Sequence, residues 1–136
     1  MFEITKKIAK CFRESGVPYE VEDKDGQSAV VVEISGVYVA GSKAKFISVD
    51  DENDVAVVVE DFLKLSDTQR ANIYPVLNEL NGMFRYVRFR MDESGKLIAD
   101  YDFPSCSANL PEQAFELFLT FMDILDDAAK HILRNK

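Results

Sequence analysis

The sequence predicts an α+β domain in which an antiparallel β-sheet carries helices packed on one of its sides. Turn-forming clusters separate short runs of β-branched and aromatic residues, and this close spacing favours antiparallel pairing, because parallel strands need crossovers of about a dozen residues or more. Apolar residues recur at helical spacing near both ends of the chain and in its middle. We therefore expect the order α-β-β-β(-β)-α-β-β-α.

Length and charge limit the class of protein. The 136 residues suit one domain, and we predict that residues 1–136 form it. Sixteen basic against 24 acidic residues give a formal net charge of −8. Nucleic acid and anionic membranes are not expected partners, because phosphate binding needs a basic face. The acidic balance indicates either simple solubility or a partner segment that is basic.

Cysteine and histidine are too few and too scattered for a clustered zinc site. Cys11 and Cys106 lie far apart without C-x-x-C spacing, and His131 is the only histidine. The start of the chain lacks the apolar core of a signal peptide, and no run reaches the ~18 apolar residues of a membrane span. We therefore expect a cytoplasmic protein with free thiols and no metal or cofactor.

The first half of the chain predicts one helix and then a meander of strands. Apolar residues at three- and four-residue steps indicate an amphipathic helix over residues 2–15, ended by Gly16. Gly36 interrupts the second strand, which residues 37–39 are expected to continue beyond a bulge. The strands are expected at residues 19–22, 28–35, 44–50 and 55–62.

A helix and a hairpin form the predicted centre of the fold. Ser66 and Gln69 have the spacing of a capping box, in which the two side chains each satisfy a backbone N–H group. Asn81-Gly82 predicts a left-handed end to this helix, with Gly82 at positive φ. The strands of the hairpin are expected at residues 84–91 and 97–103.

The last helix is expected to begin at Asn109, with Pro111 in its first turn, and to end near Leu133. Its apolar residues cover more than one face, whereas a helix on one side of a sheet needs a stripe only a little wider than about 100°. The surplus indicates either extra core or a surface for a partner or a second copy.

If the surplus is a partner surface, three apolar residues of the last helix are expected to point outward. These residues are Phe118, Met122 and Leu125. Asp123 and Asp126 would flank them as a charged rim.

The carboxylates of the chain do not predict a metal or catalytic site. The acidic turn at residues 50–54 lacks the central glycine of a calcium loop, so we expect a solvated hairpin turn. No base or nucleophile accompanies the strand carboxylates, which are expected to face solvent. They are Glu60, Asp61, Asp100 and Asp102.

Three arginines in the aromatic strand are the remaining candidates for binding chemistry. Arg85, Arg88 and Arg90 stand opposite Asp100 and Asp102 across the predicted hairpin. They indicate cross-strand ion pairs, with an anion-binding cluster as the alternative.

Several segments resemble the YbjN family of putative bacterial sensory transduction regulators, which is related in fold to type III secretion chaperones. The matching segments are Leu77-Asn78-Glu79-Leu80-Asn81, Phe84 to Phe89, Asp92 to Gly95, and Leu97 to Phe103. The resemblance implies an antiparallel sheet with helices over one side. It also implies a protein without enzymatic activity that binds other proteins, often as a homodimer.

Two functions follow as hypotheses. The first is a non-enzymatic protein-binding module, a chaperone-like adaptor or sensory transduction regulator that acts as a homodimer. The alternative is a small-molecule or anion sensor, or an enzyme, that uses the face of Arg85, Arg88 and Arg90.

Overall fold

The predicted α+β class is confirmed by a computed structural model, which describes residues 1–39, 41–51, 54–84, 87–103 and 110–134. Four helices accompany a six-stranded sheet in the order β1-β2-β3-β4-β6-β5, and every neighbouring pair is antiparallel. The helices are α1 (Glu3–Glu14), α2 (Asp67–Ala71), α3 (Ile73–Met83) and α4 (Leu110–Arg134). The strands are β1 (Glu20–Lys24), β2 (Gln27–Ile34), β3 (Ser42–Ser48), β4 (Val55–Glu60), β5 (Arg88–Met91) and β6 (Leu97–Phe103).

An aromatic cluster joins the helices to one side of the sheet. The ring of Phe12 in α1 lies 5.3 Å from that of Phe46 in β3, and 5.8 and 5.5 Å from those of Phe115 and Phe118 in α4. Tilted and edge-to-face rings at these separations add to the stability that burial already supplies. The core therefore lies between the sheet and the helix layer. Among the described residues, no helix is long and apolar enough to cross a membrane.

The segment after β2 does not continue the strand, so the prediction for residues 37–39 is wrong. Asp126 of α4 binds this segment: its Oδ1 accepts the backbone N–H groups of Tyr38 at 2.6 Å and Val39 at 3.2 Å. The N–H of Gly36 donates to the carbonyl of Val39, which closes a tight turn. The backbone donors thus go to a carboxylate and to a turn instead of to a neighbouring strand.

Two short helices replace the single helix predicted around residues 66–81. The capping box is confirmed, since Ser66 Oγ accepts the N–H of Gln69 at 3.2 Å and Gln69 Oε1 accepts the N–H of Ser66 at 2.9 Å. Pro75 explains the break: it has no N–H to give to the carbonyl of Ala71, where α2 ends. Its position in the first turn of α3 leaves no helical hydrogen bond missing.

The expected left-handed stop at Gly82 is wrong. Helix α3 continues to Met83, and Gly82 has helical backbone conformation within it. The neighbouring Asn81 has another role: its amide nitrogen donates to the carbonyl of Phe89 at 3.0 Å, and its oxygen accepts the N–H of Phe89 at 2.8 Å. Asn81 thereby satisfies the outer backbone groups of β5, an edge strand.

Replacing Gly82 with alanine is expected to stabilise the protein. A methyl group at this position meets no heavy atom within 4 Å, and alanine is favoured over glycine inside a helix by about 0.5–1 kcal/mol. Urea unfolding of Gly82→Ala should therefore show a higher midpoint than the parent. Gly95→Ala is the matched control with the opposite sign, because Gly95 has φ of +84° and its added methyl would lie 3.0 Å from Arg70 Nε. A lower midpoint for Gly82→Ala would contradict a helical Gly82.

The surplus apolar residues of α4 include two that were expected on its surface but lie in the core. Phe118 is 4% exposed and Leu125 is fully buried, so the expectation that they point outward is wrong. The physical reason is that α4 has neighbours on two sides besides the sheet, with α1 at Phe12 and α3 where Glu79 meets His131 at 2.8 Å. A helix in that position buries a wider arc than one that touches a sheet alone. Asn109, the expected cap, lies outside the described residues.

Candidate functional site

The sheet face that points away from the helices is the candidate site, and we call it the outer face. Side chains alternate along a strand, so Val30 and Val32 of β2 enter the core while Ala29 and Val31 point to the outer face. None of the described helices covers this face. Its apolar positions are Ala29, Val31, Ile47, Ala56, Val58 and Ile98.

The outer face is unusually apolar for a sheet face that no described helix covers. A one-sided antiparallel sheet normally places polar residues on its solvent side. Here Val31 and Ile98 are only 4% and 5% exposed although they lie outside the main core cluster. Longer charged side chains on neighbouring strands, such as Lys45 beside Val31 and Arg90 beside Ile98, shield them.

Charges on the outer face are segregated by strand. One register row crosses the whole sheet, with Val31 and Val58 between charged residues. In the order of the strands this row is Glu20, Val31, Lys45, Val58, Asp100 and Arg88. Four strands each carry a pair of like charges: Glu20 and Glu22 on β1, Lys43 and Lys45 on β3, Asp100 and Asp102 on β6, and Arg88 and Arg90 on β5. Lys24 at the end of β1 is the exception to this segregation.

Asp100 binds two of the three candidate arginines. Arg88 Nε lies 3.0 Å from its Oδ1 and Arg90 Nε lies 3.4 Å from its Oδ2, which confirms the cross-strand pairing predicted for these residues. The hydrogen bond to Asp100 and its negative charge raise the pKa of Arg88, and Asp102 adds to the effect. Asp100 is buried between them, unlike the solvated carboxylate that we expected. Arg85 lies outside the described residues.

The Arg88–Asp100–Arg90 cluster is therefore partly neutralised. Each arginine side chain remains more than half exposed, at 70% and 52%, while that of Asp100 is 9% exposed. An incoming anion would compete with a carboxylate that already holds both guanidinium groups.

Two shallow depressions follow β2 on the outer face because Ala29 and Val31 are shorter than their charged neighbours. The larger has a volume of about 410 Å³, with Val31 at its floor and Glu20 and Lys43 among its walls. The smaller, of about 160 Å³, lies over Ala29. The two are separated by an ion pair in which Lys45 Nζ lies 3.4 Å from Glu22 Oε2.

The acidic turns serve structure. Asp51 Oδ1 accepts the N–H of Ile4 at 2.9 Å and so caps the first turn of α1, a role that a linear sequence motif does not reveal. Asp92 accepts the N–H of Lys96 and both donors of Ser94, and these hydrogen bonds lower the pKa of its carboxyl group. Within the described ranges, no three His, Cys, Asp or Glu side chains cluster as metal ligands.

Cys11 and His131 lie outside the sheet, and each has a structural explanation. Burial raises the pKa of the Cys11 thiol, and the carboxylates of Glu112 and Glu14 raise it further, so its reactive thiolate is disfavoured. His131 Nε2 lies 2.8 Å from Glu79 Oε2 on the helix side. Cys106 lies outside the described residues.

The three residues expected as a partner surface share one face of α4 by their spacing, but that face packs into the core. Phe118 and Leu125 belong to the core, whereas Met122 is only partly buried. Met122 lies one turn from Leu119, which is 44% exposed. Asp126 does not form part of the expected charged rim, since its carboxylate binds the backbone of the segment after β2.

Comparison with known proteins adds no relative. No family model matches the chain, and no curated protein matches it. The resemblance to the YbjN family therefore stays a prediction from the sequence.

Proposed function

We propose that this chain is a non-enzymatic protein-binding module that acts as a homodimer through the outer face of its sheet. The observation that carries the proposal is the apolar character of that face, where Val31, Val58 and Ile98 lie among charged residues of the neighbouring strands. Protein interfaces likewise combine apolar contacts that exclude water with polar and charged groups.

The size of the outer face suits a moderate affinity. Six strands spaced by about 4.8 Å, with about five residues each at 3.4 Å, give roughly 500 Å² per copy. The roughly 1,000 Å² buried in total lies at the lower end for specific interfaces. We therefore propose a dimer that forms at micromolar concentrations.

The proposal extends to the adaptor or regulator role that the resemblance to the YbjN family implies, in the cytoplasm. Non-enzymatic action is supported by the raised pKa of the Cys11 thiol and by the surface position of the His131–Glu79 pair. The alternative, an anion sensor or enzyme at the arginine face, is weakened because Asp100 already binds Arg88 and Arg90. Met122, partly buried beside the exposed Leu119, remains the candidate contact for a partner on the helix side.

Analytical ultracentrifugation of a variant in the centre of the outer face tests the homodimer. Val58 is half-buried, has Lys45 and Asp100 as its cross-strand neighbours, and lies outside the core cluster. We expect the parent to sediment as a dimer at ~100 μM and Val58→Lys as a folded monomer, since a charge replaces an apolar contact within the interface.

Tyr74→Lys is the matched control, because Tyr74 is 66% exposed on α3, on the opposite side of the sheet. It should remain dimeric. A parent that stays monomeric at ~100 μM contradicts the homodimer. A Val58→Lys protein that is folded and fully dimeric contradicts the outer face as its surface.

A further inference from the structure

We infer that two copies of this chain stack their outer faces about a two-fold axis parallel to the strands and centred between β3 and β4. This arrangement places β1 of one copy over β5 of the other, β2 over β6, and β3 over β4. The inference rests on the proposed homodimer and adds its geometry. The partner that binds the outer face is thus a second copy of this chain, and the charge pattern favours this orientation of the two copies.

Face-to-face packing of two identical sheets with their strands aligned allows two kinds of two-fold axis in the plane of contact. An axis perpendicular to the strands stacks each strand on its own copy. Because charges are segregated by strand, Glu20 and Glu22 of β1 would then meet the same acidic residues. The lysines of β3 and the arginines of β5 would likewise meet their own kind. Apart from Lys24 at the end of β1, the charged residues of these strands would face like charges, and such contacts disfavour association.

An axis parallel to the strands reverses their order and opposes no like charges along the register row. Glu20 lies opposite Arg88 of the second copy, at each edge of the interface. Lys45 lies opposite Val58, and Val31 lies opposite Asp100. The alkyl stem of Lys45 can cover Val58 of the second copy.

A second row is complementary about the same axis. Glu60 of β4 pairs in register with Ile98, and Glu33 of β2 pairs with Lys43 of β3. Reversal of the strand order sets Lys43 over Glu60 of the second copy and Glu33 over Ile98. Aligned sheet packing keeps strands within about 30° of each other, so these pairs remain within reach.

Mixing two charge-reversed variants tests the axis. The homodimer of Glu20→Arg would oppose arginine to Arg88 twice, and that of Arg88→Glu would oppose glutamate to Glu20 twice. We expect each variant alone to raise the dimer dissociation constant about 10-fold or more at low salt. An equimolar mixture should form a heterodimer in which both contacts are Glu–Arg pairs, with affinity near that of the parent.

The strand order makes this rescue intermolecular. Glu20 and Arg88 lie at opposite edges of one sheet, five strand spacings or about 24 Å apart, so no contact within one chain can restore the pairing. Native mass spectrometry of the mixture separates the heterodimer from both homodimers, because the variants differ in mass. Urea unfolding of each variant checks its fold.

A second pair keeps the test decisive if Arg88→Glu, placed beside Asp100, fails to fold. Lys43→Glu and Glu60→Lys should likewise be weak alone and associate when mixed. The absence of a heterodimer in excess of the homodimers, in pairs that are folded, overturns the strand-parallel axis. The proposed homodimer fails separately, if the parent is monomeric or if Val58→Lys leaves the dimer intact.

Discussion

Leu125→Asp is expected to leave the protein largely unfolded at room temperature. Leu125 is fully buried in α4, and truncating a buried leucine to alanine alone costs about 2–5 kcal/mol. An aspartate adds an unpaired carboxylate in an apolar site, which raises the cost further. Because small domains are stable by only about 5–15 kcal/mol, circular dichroism should show loss of most native structure.

Leu119→Asp is the matched control, with the same substitution six residues earlier on the same helix. Leu119 is 44% exposed, so its variant should keep the native spectrum and a urea midpoint close to that of the parent. If Leu125→Asp were folded and merely more monomeric, Leu125 would be an interface residue and its burial within one chain would be incorrect.

Asp126→Ala is expected to lower the free energy of unfolding by about 1.5–3 kcal/mol, because two backbone N–H groups lose a charged acceptor. Those groups belong to Tyr38 and Val39, which lie far from Asp126 in sequence. Urea unfolding measures the loss. Amide hydrogen exchange should also become faster at Tyr38 and Val39, since the carboxylate protects both.

Asp123→Ala separates this contact from a general effect of charge. Asp123 is exposed one turn earlier on α4, and its variant should lie within about 0.5 kcal/mol of the parent. Equal losses for the two variants would mean that the carboxylate of Asp126 does not hold the segment after β2.

Local patterns predicted the elements of this fold well. Ser66 and Gln69 form the expected capping box, residues 97–103 form the expected strand, and Arg88 pairs with Asp100 as the hairpin register required. In each case the interacting groups are close in sequence or joined by one turn, so spacing alone determines their contact.

Contacts between segments that are distant in sequence could not be predicted from local patterns. The stop predicted at Gly82 failed because Asn81 satisfies the edge of β5 instead of ending its own helix. The outward residues of α4 were wrong because the number of its neighbours was unknown. The residues that share the outer face can be identified only once β6 is known to pair with β4, since that pairing completes the register row.

The insertion of β6 between β4 and β5 has a consequence for folding kinetics. Strands β1 to β4 pair with sequence neighbours, whereas β6 reaches β4 only after α2, α3 and β5 have been synthesised. Pairing over such a separation is slow relative to hairpin formation. Until it occurs, β4 exposes the edge of Val55–Glu60, an apolar β-branched segment prone to aggregate. Refolding yield should therefore fall as protein concentration rises, and the docking of the β5–β6 hairpin is the step that protects the chain.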